Sequence, residues 1–219
     1  MEKCSVSQII VDSLKLGNYV LEPDAKLICA NYGMPVTRFK VAKDQKEAVK
    51  FADELGYPVA LKIVSPDIIH KDDVGGVILD IKSPKEVQDA YEKILGNVKE
   101  HKPNARVFGI LVEEMAPPST EVVVGGIYDP QFGPTLMFGL GGIFVEVLKD
   151  VTFRICPITR QDALEMITEV RGFQILKGYR RRPSVDIDRI LEILLSASRL
   201  LTDHPVIKEL DLNPVIVYE

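Results

Sequence analysis

The stretch Leu61-Lys62-Ile63-Val64-Ser65-Pro66-Asp67-Ile68-Ile69-His70-Lys71-Asp72-Asp73-Val74-Gly75-Gly76-Val77 puts a lysine, a histidine and a glycine pair within seventeen residues. Residues 59–64 read as a buried strand, and a lysine among such neighbours is costly to desolvate unless an anion meets it. A nucleotide phosphate is such an anion. Pro66 stops the strand, and Gly75-Gly76 lets backbone N–H groups come close to a ligand without Cβ interference. His70 falls on the polar loop between them. The alternative is a surface lysine, a solvated histidine and an ordinary turn.

Carboxylates fall at ordered places further along. Glu113 ends one strand and Glu121 begins the next, across the turn Ala116-Pro117-Pro118-Ser119, whose prolines fix the spacing. One glutamate can accept from an adenine amino group and the other from ribose hydroxyls; the alternative is a pair of exposed strand-end acids. Glu209, Asp211 and Asn213 stand at i, i+2 and i+4 of one strand and so share a face, between Leu210 and Leu212. Such oxygen ligands suit magnesium, which shares its shell with water and phosphates, and a plain polar strand face explains the same pattern.

Absent motifs narrow the chemistry. There is no GxxxxGK[ST] loop, and Gly139-Leu140-Gly141-Gly142 fails the GxGxxG pattern because Phe144 stands where the third glycine belongs. HExxH, an EF-hand loop and GxSxG are also missing. Cys4, Cys29 and Cys156 are odd in number and far apart, which argues against a disulfide framework or a zinc site. Reduced thiols are expected, with Cys29 packed in the core. A net charge of −5 leaves no footprint for nucleic acid, although Arg180-Arg181-Arg182 makes a local basic cluster. Neither a signal peptide nor an apolar run long enough to span a bilayer is present, so a cytoplasmic chain without a membrane partner is expected.

The elements that must position these residues alternate between helix and strand, which predicts a mixed α and β fold. Pro23 opens a helix that Gly33 closes; Asp44 with Glu47 caps a second, and Ser83-Pro84 starts a third reaching about Glu100. Strands are expected at 37–42, 59–64 and 77–81, giving one α+β subdomain over residues 18–105. Residues 1–17 and 106–219 form the second, with strands at 107–115, 121–128, 135–138 and 151–156, paired antiparallel because their connections are short. Helices at 159–170 and 186–203 precede closing strands at 206–212 and 215–218. Ligands favour the cleft expected between two such subdomains.

With these motifs laid out, the sequence resembles the ATP-grasp (β) subunit of ADP-forming acetyl-CoA and acyl-CoA synthetases, relatives of succinyl-CoA synthetase. The resemblance covers nearly the whole chain. It rests on Lys62 to Lys71 with Val74-Gly75-Gly76-Val77, on Asp129-Pro130-Gln131-Phe132-Gly133-Pro134 leading into residues 137–146, and on Glu209-Leu210-Asp211-Leu212-Asn213-Pro214. It implies an ATP-grasp fold, α+β, with a nucleotide cleft between two subdomains. Lys62 would grip the phosphates, Glu113 would lie at the adenine hinge and Glu121 would hold the ribose. Gly141, Gly142 and Arg154 would line the phosphate site, beside the Gly75-Gly76 pair already read as a place for ligand approach. Asn213 and Asp211 would bind Mg2+, with Asp211 also an acid beside the transferring phosphate, and His70 would carry the phosphoryl group.

The activity so implied transfers phosphate between a phosphohistidine and ADP or ATP, with a CoA-binding α subunit as partner in an α2β2 assembly. The family places a second acidic metal ligand on a strand beyond the Asn-Pro turn, and the chain stops at Glu219 before it, so a shortened chain is expected. Two other functions stay open: a regulatory ATP-binding subunit that does not turn over, and an ATP-grasp ligase joining a carboxylate to an amine. Retention of Lys62, His70 and Asp211 speaks against the first, and the Ser65 to Lys71 segment against the second.

Overall fold

A computed structural model describes residues 5–17, 19–178 and 183–219. Cys4 and the Arg180 to Arg182 cluster lie outside them. Two compact units divide the chain, the first holding residues up to Asn31 together with Pro35–Ala116, the second Tyr32–Met34 and Pro117–Glu219.

The first unit begins with helices α1 (Val6–Leu16) and α2 (Glu22–Asn31). Then come β1 (Phe39–Ala42), α3 (Gln45–Leu55), β2 (Val59–Val64), a short 3-10 turn (Asp72–Val74), β3 (Val77–Ile81), α4 (Pro84–His101) and β4 (Gly109–Glu114). The strands make one antiparallel sheet in the order β1-β4-β2-β3. Local chemistry sets the helix starts: Asp44 accepts from the Glu47 N–H and Ser83 from the Glu86 N–H, each satisfying a donor that a first helical turn leaves free.

Strand periodicity sorts the sheet's two faces. Leu61, Ile63, Ile110, Val112 and Ala42 pack with Ala48, Ala52, Val87, Ile94 and Val98 of α3 and α4. Ala60, Lys62, Val64, Leu111 and Glu113 alternate with these and point the other way, where Leu21, Val64 and Leu111 form a smaller cluster with Tyr19, Phe39, Val41 and Phe108.

Two expectations change here. The sequence reading ends the first subdomain at 105, but β4 is hydrogen-bonded between β1 and β2 and its apolar residues are buried on both faces, so it belongs to the first unit. Residues before 18, assigned to the second subdomain, form α1 of the first; no helix was expected there.

The second unit holds β5 (Thr120–Asp129), β6 (Gly133–Leu140), α5 (Ile143–Glu146), β7 (Val151–Ile155), α6 (Arg160–Glu169), α7 (Phe173–Leu176), α8 (Ile187–Asp203) and β8 (Glu209–Val217). Its antiparallel sheet runs β7-β6-β5-β8. The β5–β6 hairpin closes through Asp129, whose carboxylate accepts from the N–H groups of Gln131 and Phe132, and Gly133 takes a φ of 79°. Val122, Val124, Leu136, Phe138 and Leu140 are buried, as are Ala163, Met166, Ile190, Leu194 and Leu201 on the helices. A Cβ on Gly126 would sit 2.5 Å from Leu201 Cδ1, which identifies the even-numbered face of β5 as the one under α8. The two closing strands expected at 206–212 and 215–218 are one strand. Between Val122↔Val215 and Val124↔Leu212 the register shifts by one, so Asn213 and Pro214 together oppose Val123 in a bulge. A bulge accommodates a proline because it asks for no N–H there.

Candidate active site

Lys62 is the centre of a charged group in the first unit. Its strand register, Lys62↔Leu111 and Ala60↔Glu113, puts Lys62 and Glu113 diagonally across β2 and β4 on the face away from α3 and α4. The Lys62 ammonium lies 2.8 Å from Glu113 Oε2 and 2.7 Å from Glu22 Oε1. Glu22 Oε2 is in turn 3.0 Å from the ammonium of Lys71. Glu113 Oε1 accepts from Lys26 at 2.5 Å and from the Thr37 hydroxyl. Glu22 and Lys26 are one helical turn apart at i and i+4 on α2, which brings both to this group.

The electrostatics follow from burial set against pairing. Burial alone would raise the Glu113 carboxyl, but Lys62 first, then the hydrogen bonds from Lys26, Lys62 and Thr37, bring it down to about 2. Burial likewise pushes Glu22 up, and Lys62 and Lys71 more than reverse it. Lys62, which burial would lower, is held above its ordinary value by Glu22 and Glu113. Lysines 26, 62 and 71 stand against glutamates 22 and 113, three charges against two, so the group keeps one positive charge for an anion.

The placement of Glu113 differs from the sequence expectation. Its side chain is only 8% exposed and both oxygens are engaged by lysines and a threonine, so the carboxylate is turned inward and not presented at a strand end. Glu22, Lys26, Thr37 and Lys71 were not singled out from sequence. The spacing of Glu22 and Lys26 on a helix was visible; their meeting with β2 and β4 depends on the path between α2 and the sheet.

The loop after β2 is fastened at both ends. At its start Asp67 accepts from the Arg106 backbone N–H at 2.7 Å and from its guanidinium at 2.7 and 3.0 Å, and the Tyr19 hydroxyl donates to the Ser65 carbonyl. The Arg106 hydrogen bonds hold the Asp67 carboxyl down at about 2. At its end the Gly75 and Gly76 N–H groups donate to the Asp72 and Lys71 carbonyls, and Asn97 donates to the Gly75 carbonyl. The glycine pair is therefore not a set of free donors for phosphate. Gly75 has a φ of 59° with Asn97 Nδ2 2.5 Å from where a Cβ would be, and a Cβ on Gly76 would meet Ile63 Cγ2 at 2.6 Å. Close packing at both positions, and the positive φ at Gly75, require glycine there. Between the fastenings His70 is exposed and Ile69 is 64% exposed.

In the second unit, Asp211 pairs with Gly125 and Glu209 with Ile127, on the face of the sheet away from α8. Glu121 stands on that same face of β5, and Asn213 sits two residues beyond Asp211 in the bulge. All are exposed, and burial raises the Asp211 carboxyl above its usual value. Gly141 donates its N–H to the Glu121 carbonyl, and Gly142, with a φ of 60°, leads into α5. Arg154 does not join them. It pairs with Leu136 on the helix-covered face, where its guanidinium lies 2.6 Å from Glu169 and 3.6 Å from Glu165 of α6. Strand alternation alone separates it from Asp211. Among the described residues no three His, Cys, Asp or Glu side chains are grouped to hold a metal ion. Asp211 and Asn213 offer two oxygen ligands, a donor set that fits magnesium when nucleotide phosphates complete the shell.

Residues 14–219 match the family described as the ATP-grasp domain, and the chain belongs to that family. It is a homologue of the β subunits of ADP-forming acetate–CoA ligases, acid-CoA ligases that work as assemblies of subunits. Across its whole length it is 49% identical to acetate–CoA ligase [ADP-forming] I subunit beta of Pyrococcus furiosus, covering 95% of that protein. Among solved structures, acetyl-coenzyme A synthetase 1 of Ca. Korarchaeum cryptofilum in complex with coenzyme A, Ca-AMPCP and HgCl+ aligns with a TM-score of 0.94 and 48% identity, over 98% of this chain and 94% of that one. The same synthetase with coenzyme A and Mg-AMPPCP, its phosphohistidine segment pointing towards the nucleotide binding site, aligns with a TM-score of 0.85 and 44% identity, over 98% of this chain and 93% of that one.

Proposed function

We propose that this chain is the nucleotide-binding subunit of an ADP-forming acyl-CoA synthetase and that it moves a phosphoryl group between His70 and ADP. The observation that carries the reading is the half-buried Lys62, in a group with one excess positive charge, joined through Glu22 to the loop that bears an exposed histidine. A phosphate at Lys62 would take over the charge-assisted hydrogen bonds that the ammonium now gives to carboxylates. In the forward step the N–P bond of phosphohistidine breaks as a terminal oxygen of ADP bonds to phosphorus, and the imidazole leaves as the free base.

Such a transfer depends chiefly on positioning and charge neutralisation. Glu113 and Glu22 hold Lys62 in place, and the fastened ends of residues 65–76 limit where His70 can reach. Asp211 and Asn213 would hold magnesium, which when bound supplies further neutralisation of phosphate charge; Glu121, on the same face, is assigned to the ribose. A carrier role for His70 is supported by its exposure on a loop, and it requires a partner. That partner is a CoA-binding α subunit, and we assign the pair an α2β2 stoichiometry. Among the described residues no helix is long and apolar enough to cross a membrane. The buried free thiols of Cys29 and Cys156 suit the reducing, cytoplasmic compartment proposed for it.

Reconstitution tests the assignment. The chain alone should form no ATP from acyl-CoA, ADP and phosphate, and the activity should appear when the α subunit is added, with light scattering giving the mass of two copies of each. Full turnover by the chain alone would overturn the division of labour.

A further inference from the structure

We propose that Glu22 is a positioning residue that couples phosphate binding at Lys62 to the loop carrying His70. The inference rests on reading Lys62 as the phosphate ligand. One carboxylate serves two elements: Oε1 takes the Lys62 ammonium of β2 at 2.7 Å, and Oε2 takes the Lys71 ammonium at 3.0 Å, one residue past His70. Lys71 is the loop's charged attachment between the Asp67–Arg106 fastening and the Gly75–Gly76 turn. Its side chain and those of Lys62 and Glu22 are about three-quarters buried, so their mutual attraction is less screened than that of a surface pair.

A phosphate arriving at Lys62 competes with Glu22 for the same ammonium. It also places a second negative charge beside Glu22, and Lys71, already on the other oxygen of that carboxylate, can answer both. Phosphate at Lys62 therefore draws Lys71 inward and tightens the segment next to His70, while loss of the phosphate relaxes it. Glu113 does not share this role. Its remaining partners, Lys26 and Thr37, belong to α2 and the segment before β1, and none lies on the loop.

Hydrogen exchange of residues 68–74 in the full chain tests the coupling. Without nucleotide, Glu22→Gln and Lys71→Met should each speed exchange of the segment by roughly five-fold, the scale of one partly screened ion pair, and the double variant by no more than either alone. With Mg-ADP the wild-type segment should slow, and neither variant should respond. Additive effects of the two substitutions, or an Mg-ADP response that survives in Glu22→Gln, would overturn the proposal. Lys71→Met leaves the Lys62–Glu22 pair in place, so a fault confined to folding around Lys62 cannot mimic the result. Phosphate on His70 is measured separately: a loop that responds to Mg-ADP in a chain that never carries phosphohistidine would keep the coupling and remove the carrier reading.

Discussion

Lys62 and Glu113 stand on neighbouring antiparallel strands, two residues apart in register and so on the same face, with ammonium and carboxylate 2.8 Å from each other. Because Glu113 also has Lys26 and Thr37, it can keep its charge if Lys62 turns to a phosphate. Lys62→Met should therefore weaken Mg-ADP binding by at least about tenfold, the worth of one charge-assisted hydrogen bond, while costing only about 1 to 3 kcal/mol of stability. Calorimetry and urea unfolding read the two effects separately. Unchanged affinity would remove Lys62 from the site.

Acid should reveal the Glu113 pair. Its carboxyl is depressed to about 2 from an ordinary 4.5, the direction in which stability is present above the unfolded value and lost as pH falls toward the folded one. Between pH 4.5 and 2 the wild-type chain should lose up to about 3 kcal/mol from this group. Glu113→Gln, less stable at neutral pH because it leaves lysines unanswered, should lose less over the same interval. Urea midpoints measured across that range should converge; parallel curves would show that the pairing contributes nothing.

The glycine pair supplies a test of packing against ligand contact. Gly76→Ala forces a Cβ to within 2.6 Å of Ile63 Cγ2 and 3.0 Å of the Lys71 carbonyl, and Gly75→Ala must adopt a φ of 59°. Each should cost about 1 to 3 kcal/mol in unfolding free energy. The Mg-ADP affinity of the folded fraction should change less than threefold, since these N–H groups already have backbone partners. A large loss of affinity without loss of stability would restore them to the phosphate site.

Much of this architecture was legible because it is written locally. The caps at Asp44 and Ser83 and the apolar run of β2 are short-range patterns, and the predicted elements match ones in the structure, the two closing strands merging into β8. What was not legible needed tertiary information. The family resemblance groups Arg154 with Gly141 and Gly142 at a phosphate site, but strand parity turns its side chain to α6. Asn213-Pro214 reads as a turn, and only pairing with Val123 identifies it as a bulge inside one strand. Lys62 was found from its own burial, whereas Glu22 and Lys71 are ordinary surface-type residues until the fold puts them on one carboxylate.

That parity makes Arg154 a useful negative control. Bound to Glu169 and Glu165 on the helix-covered face, it should be replaceable by Met with less than about a twofold change in Mg-ADP affinity and about 0.5 to 1 kcal/mol of lost stability. Asp211→Asn, on the opposite face, should by contrast weaken binding of Mg-ADP far more than of ADP without metal. Equal losses with and without magnesium would separate Asp211 from the cation.

His70 gives the prediction on which the assignment depends most. It is exposed on a segment that lies between the Asp67–Arg106 ion pair and the Gly75–Gly76 turn. A carrier must accept phosphate at one place and deliver it at another, and an exposed imidazole beside Lys71 is placed to serve as that nucleophile. Incubating the reconstituted complex with labelled ATP, or with acyl-CoA and labelled phosphate, should place acid-labile phosphate on His70. His70→Ala should lose net turnover by at least about a thousandfold yet bind Mg-ADP within about twofold of wild type, because Lys62 and its glutamates are untouched. Turnover near the wild-type rate in that variant would mean that the phosphoryl group passes to ADP without stopping on this chain.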